Sequence, residues 1–383
     1  TKIMDVIMKF LKLKKLGILG TIIFFSIASF LNNPLFSNAS VSQSVLGVAK
    51  GGTNANNVES AQKNLGRTDI ISFDSTDNQF PSSKAVYDYI DISLDNKFVA
   101  VGTGGNIAYS NGGISWQEPT QVGSINWRSA IWGAGKFVVL GGAGNFTYSA
   151  TGEPGSWSEI GTIGNSFACG SENGTCKLSY INGRFYAGGQ VGKIAYSDDG
   201  ISWNVVNTGQ TKSFLSPVTY GNGKYVIAGG TYGYDGIIGY SSDGLTWTNI
   251  SIPDSNFFAG LAFGNGVFTL LGAAGGVYSS DGVVWNNINI TTGQQWRNII
   301  YKDNRFLAVS ESSYLTSSSD GINYETPYKV FTQGWWNIIA SEKKYILVGI
   351  GGYISYAKNS NILDWQTPIK LGNQAWYGIA QQQ

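Results

Sequence analysis

Four tryptophans stand at one point of a repeating pattern, and each is followed by a residue that can bind or stack: Trp127 by Arg128, Trp296 by Arg297, Trp335 by Trp336 and Trp376 by Tyr377. Two kinds of chemistry fit them. As packing groups, the indoles fill the space between repeats, which the large area an aromatic ring buries favours. As a ligand platform, they offer flat faces to sugar rings, with Arg128, Arg297, Trp336 and Tyr377 as stacking and hydrogen-bonding companions.

Other chemistry is bounded by what the chain lacks. It has no histidine, which removes Ser-His and Cys-His nucleophile activation, imidazole metal ligation and histidine pH switching. Glycoside hydrolysis needs two carboxylates across a cleft. Asp235, Asp303 and Glu311 are scattered and read as loop residues, so no catalytic residue, metal or cofactor is assigned. Cys169 and Cys176 bracket GSENGT. In an exported protein they predict a disulfide; a metal pair is the weaker reading, since no further cysteine is present. A net charge of +1 gives no electrostatic footprint for nucleic acid.

The elements that must position these residues are short strands. Fifty-two glycines, 14% aromatic and 13% charged residues suit strands joined by glycine turns. Tyr220–Trp247 shows the unit: a strand (Lys224–Ala228), a glycine break, a strand (Gly236–Tyr240), then a tight turn closed by tryptophan. Anchor aromatics recur at Phe98, Phe137, Phe185, Tyr225, Phe268, Phe306 and Tyr345, spaced 39, 48, 40, 43, 38 and 39 residues apart. Ten residues before an anchor lie Trp127, Leu215, Phe258, Trp296 and Trp335, with Thr175 the exception; Trp376 fits a closing unit. Repeats of this length predict propeller blades. The chain ends on QAWYGIA, an inner strand with no anchor after it, while Lys97–Val101 is an anchor with no inner strand before it. Joining the two completes a blade and removes open sheet edges. The expected fold is all-β, a seven-bladed β-propeller over residues 96–383 closed by its two terminal strands.

The turns SDDGISW (Ser197–Trp203), SSDGLTW (Ser241–Trp247), SSDGVVW (Ser279–Trp285) and SSDGINY (Ser318–Tyr324) resemble the Asp-box (BNR) repeat family. They are one residue shorter than its usual pattern, and the turns at Ser110, Ser149 and Ala357 are degenerate. The resemblance implies that Asp199, Asp243, Asp281 and Asp320 are structural, their carboxylates accepting nearby backbone N–H groups. The family includes sialidases and other glycosidases. Sialidase sites use three arginines around a carboxylate pocket, and the five arginines here show no such motif. Fold membership does not carry function with it.

Upstream, basic Lys9–Lys15, apolar Leu16–Leu31 and Ser37-Asn38-Ala39 describe a secretory signal peptide over residues 1–39, with a membrane anchor as the alternative. Cleavage there removes five lysines and Asp5 and leaves a mildly acidic chain. A chain opening on Thr1 leaves room for a further upstream segment. Residues 47–66 (GVAKGGTNANNVESAQKNLG) and 81–91 (PSSKAVYDYID) resemble modules of bacteriophage tail fibres and fibre-like bacterial surface proteins, with Asn54 where glycine is usual. That resemblance implies a short helical stalk over residues 40–95, with helices at Val58–Leu65 and Ser82–Ile90 and a homotrimeric assembly. A flexible spacer is the plainer alternative. Together these readings predict an exported, extracellular or cell-surface adhesin or receptor-binding protein, its propeller holding a glycan or protein receptor without catalysis. The alternatives are a glycosidase with an unrecognised site and a scaffold that binds a protein within the cell envelope.

Overall fold

The computed structural model describes residues 97–383 apart from 165–166, 170–175, 231–235, 253–256, 274, 289, 291–292 and 360. The expectations for the signal segment and the stalk, and those for Thr175 and Asp235, lie outside the described residues.

Seven four-stranded antiparallel sheets make up the described chain, which is a seven-bladed β-propeller. The inner strands of blades one to seven are Trp376–Gln381, Trp127–Gly133, Leu178–Ile181, Thr219–Gly221, Phe258–Gly264, Trp296–Lys302 and Trp335–Ala340. In blade one, Trp376–Gln381 is hydrogen-bonded along Lys97–Gly102, with Phe98 opposite Gln381. Second strands are apolar throughout: Phe98–Val101, Phe137–Leu140, Phe306–Val309 and Tyr345–Val348 are at most 1% exposed. A strand inside a stack of blades is covered on both faces, so its sequence is a continuous apolar run without alternation. Inner and second strands are joined by two-residue hairpins at Ala134-Gly135, Asn182-Gly183, Asn222-Gly223, Asn265-Gly266 and Asp303-Asn304, all with positive φ at both residues. This is the type I′ geometry that Asn-Gly pairs favour.

Seven clusters of the core each lie between two neighbouring blades, including one between blades seven and one (Ile346, Val348 and Ile354 against Phe98, Ala108 and Trp376), and a small eighth one joins Leu215, Phe257 and Ala259. The turn aromatics Trp116, Trp157, Trp203, Trp247, Trp285, Tyr324 and Trp365 all pack into the cluster shared with the preceding blade. Cys169 and Cys176 form the expected disulfide, with their Cα atoms 5.2 Å apart.

The Ser-x-Asp-Gly turns bring that aromatic into place. At Ser241–Trp247 the Asp243 carboxylate accepts the amides of Leu245 and Thr246 at 2.8 and 2.7 Å and the Ser241 hydroxyl at 2.8 Å. The same Ser241 oxygen accepts the Gly244 amide. Gly244 has φ +72°, and a Cβ there would lie 2.3 Å from the Tyr186 hydroxyl of the preceding blade, so only glycine fits. Asp199, Asp281 and Asp320 make the same bonds. The variant turns at Ser110 and Ser149 keep the serine-to-glycine half, with Gly113 and Gly152 donating to the serine oxygens. Burial works against the Asp199 charge, but the amides of Ser202 and Ile201 and the Ser197 hydroxyl outweigh it and hold the carboxyl at about 2.

Removing such a carboxylate leaves two turn amides without their acceptor, so Asp243→Ala lowers stability by about 1 kcal/mol in urea unfolding. The Asp199 contribution is present above the unfolded value of 3.8 and lost as pH falls toward the folded value of about 2. The melting temperature therefore holds down to about pH 4 and falls below it, and Asp199→Asn makes that acid limb shallower. An unchanged limb in the variant would show that the turn carboxylate adds nothing to stability.

Candidate functional site

Five inner strands share one irregularity. Trp127 pairs with Gly141 and Ser129 with Leu140, leaving Arg128 as an extra residue. The same shift leaves out Ala259, Arg297, Trp336 and Tyr377. These are β-bulges, which re-aim the side chain they carry. Their cause lies in the preceding residue. Trp127, Trp296, Trp335 and Trp376 are 0–1% exposed, turned back into the clusters shared with the preceding blades. Three of these rings lie over the glycine that ends the paired second strand: a Cβ on Gly102, Gly141 or Gly349 would come within 3.1 Å of the Cε3 atom of Trp376, Trp127 or Trp335. With the backbone carbonyls of Ala375 and Gly334 closer still to a Cβ on Gly102 and Gly349, these three strands end in glycine, whereas Trp296 stands opposite Ser310. Trp127 and Trp335 donate their indole N–H to the carbonyls of Val122 and Val330.

Of the two readings of Trp127, Trp296, Trp335 and Trp376, packing is the one the structure bears out, and the ligand platform is corrected. No face of these rings is open to a ligand, and they serve as packing between blades. Their four companions do gather. The Arg128 guanidinium lies 4.4 Å from the Tyr377 ring, Tyr377 meets Trp336 edge to face at 5.1 Å, and Arg297 lies 4.6 Å from Trp336 and 5.2 Å from Phe257. This row crosses five consecutive blades from blade two through blades one, seven and six to blade five. Arg128, Tyr377 and Trp336 are half-buried. Arg297 is 3% exposed and bound by Glu311, which accepts from Nε at 2.8 Å and also from Nη2, while Gln295 accepts from Nη2 at 2.9 Å.

Beneath the row lies a polar layer one residue further along the inner strands. Asn298 donates to Asn337 Oδ1 at 2.5 Å, and Asn337 donates to the Tyr377 carbonyl at 3.2 Å. Lys177, from blade three, spans to blades five and six and donates to the carbonyls of Ala259 (2.9 Å) and Arg297 and to Asn298 Oδ1 (3.3 Å). The residue is half-buried over its whole surface. Its ammonium end is the enclosed part, and that burial, with the Arg297 charge second, lowers its pKa to about 7. Lys177, Glu311, Asn298, Asn337 and Phe257 were not legible as site residues. The asparagines could have been found as the third residue of Trp-Arg-Asn and Trp-Trp-Asn, but Lys177 and Glu311 carry no local signal.

The structural aspartates lie at the other end of the blades. Inner strands begin at the face where second strands turn into third strands, whereas the Ser-x-Asp-Gly turns follow third strands and share their face with the inner hairpins, as the bond from Asn222 to the Ser280 carbonyl shows. Asp303 sits in such a hairpin and accepts the Tyr345 hydroxyl at 3.2 Å, while Glu311 lies at the Arg297 face.

Two expectations separate packing from positioning. Trp335→Ala costs about 3–5 kcal/mol of stability, while Trp336→Ala, one residue away, costs far less; similar losses would mean that Trp336 is core. The unfolded chain keeps the Lys177 proton to about 10.5 and the folded chain releases it near 7. Stability therefore rises with pH across that window, and Lys177→Met flattens the rise in melts at pH 6 to 10.

No known protein family and no curated protein matches this chain. Among solved structures it is similar in fold to the WD40 β-propeller domain of Doa1, at 10% identity and TM-score 0.51 over 66% of this chain and 85% of that one. It also matches BamB from Moraxella catarrhalis (9% identity, TM-score 0.47, 67% of this chain and 80% of that one) and YCF48 from Cyanidioschyzon merolae (13%, 0.46, 66% and 93%). At these identities the likeness concerns the fold alone.

Proposed function

We propose that this protein is an exported, fibre-type surface adhesin whose propeller, built from Asp-box-type repeats and closed by its two terminal strands, holds a cell-surface glycan without catalysis. The observation that carries the reading is the row Arg128–Tyr377–Trp336–Arg297. Four blades spend a bulged position on a cationic or aromatic side chain at one face. Bulges of this kind aim side chains at ligands. A bulge also costs ladder hydrogen bonds, which the plain inner strand Leu178–Ile181 keeps. Against hydrolysis stands the placement of the carboxylates: Glu311 is engaged by Arg297 and Asp303 lies at the opposite face. A stalk over residues 40–95 that trimerises would convert weak contacts into avidity.

The test is a glycan array probed with the full chain and read by mass spectrometry. Retention without a mass change is the expected result. Cleavage would establish a glycosidase in place of an adhesin, and silence would move the weight to a protein partner in the envelope. Closure has its own test. Deleting residues 376–383 removes an inner strand together with Trp376, and is expected to abolish the cooperative melt of the propeller; a truncated chain that melts as before would refute closure by the terminal strand.

A further inference from the structure

The site has an electrostatic character that a neutral sugar does not match. One face of Trp336 is covered by Arg297 and one face of Tyr377 by Arg128, so the ring surface available for stacking is reduced. In its place the row holds unused donors. Arg128 Nε, Arg297 Nη1 and Trp336 Nε1 are buried and make no hydrogen bond within the described residues. Six other indole N–H groups among the described residues, those of the packing residues Trp116 and Trp376 among them, are unpaired too, so the guanidinium nitrogens carry the weight: buried polar atoms are ordinarily paired, and unpaired charged donors in one row point to an acceptor brought by something else. Arg297 itself is 3% exposed, so its free Nη1 is held in place by packing. Charge points the same way. Glu311 offsets only one of the two guanidiniums.

We propose that the mouth formed by Arg128, Tyr377, Trp336 and Arg297 seats a carboxylate-bearing sugar, a uronate unit of an acidic glycan, with the guanidiniums and the Trp336 indole N–H donating to its carboxylate. This rests on the glycan-binding reading and narrows it to acidic ligands. Arg128 is half-buried, and its contact with Tyr377 is of the weak, partly exposed kind, so swinging the guanidinium off the ring uncovers Nε. Charge-assisted hydrogen bonds are roughly twice as strong as neutral ones, which makes the carboxylate the part of the sugar that is read.

Titration calorimetry of the full chain with glucuronate, glucuronamide and glucose tests it, since the amide keeps the shape and removes the charge. Glucuronate is expected to bind on the order of tenfold more tightly than either. Arg128→Met should erase most of that preference while leaving the melting temperature unchanged. Trp336→Phe, which keeps a ring and removes the N–H, should weaken glucuronate a few-fold, and it provides the readout if the arginine variant does not fold. Equal binding of the three sugars, or a preference that both variants leave intact, would overturn the proposal. So would tighter binding of an acetylated peptide with a free C-terminal carboxylate, which would make the site a reader of peptide ends. Retention of only neutral glycans on the array would sink this inference and leave the adhesin reading standing, whereas no retention at all would remove both.

Discussion

The requirement on which the rest depends is that the tryptophan beginning an inner strand stays dry. A single blade has no means of covering it, because both faces of a four-stranded sheet are open until neighbours arrive. The ring is therefore turned back onto the preceding blade, in three of the four cases over a glycine whose missing Cβ makes room. A strand that sends one large side chain backward cannot keep its regular register through the next residue. The bulge absorbs the mismatch, and the following side chain is left facing the mouth. Packing and presentation are thus two results of one local event, repeated around the axis.

That division explains why the two ends of the molecule differ in chemistry. At one end, serine, aspartate and glycine satisfy the backbone locally and deliver an aromatic to the interface. One oxygen of each carboxylate is taken up by turn amides. At the other end, Arg297 is held by Glu311 within blade six, and other side chains are satisfied across blades: Asn298 with Asn337, Lys177 with carbonyls two and three blades away. Local hydrogen bonds give a rigid edge, and long-range ones give a surface whose charge can be tuned by single residues.

Legibility in the sequence followed the same line. The repeat period, the apolar second strands, the Asn-Gly hairpins and the structural role of Asp199, Asp243, Asp281 and Asp320 depend on neighbours a few residues apart, and each could be read. The disulfide joining Cys169 to Cys176 was readable for the same reason. The burial of Trp296 in the inter-blade cluster and the placement of Arg297 in the row were only half readable. Spacing picked out both residues, but which of them faces the mouth is decided by register across two strands, which no single strand displays. Lys177 was invisible because its partners lie 82 and 120 residues away.

The pairing of Trp376–Gln381 with Lys97–Gly102 has a consequence for how the molecule is made. The first strand of the propeller to leave the ribosome has the last one as its neighbour. Throughout synthesis of the intervening blades, the edge of Lys97–Gly102 stays unpaired and apolar, the condition under which strands join foreign chains. Pairing between strands so far apart in sequence also makes for slow folding, since loop closure precedes its reward. Such a chain gains from whatever shields that edge until the closing strand has been made.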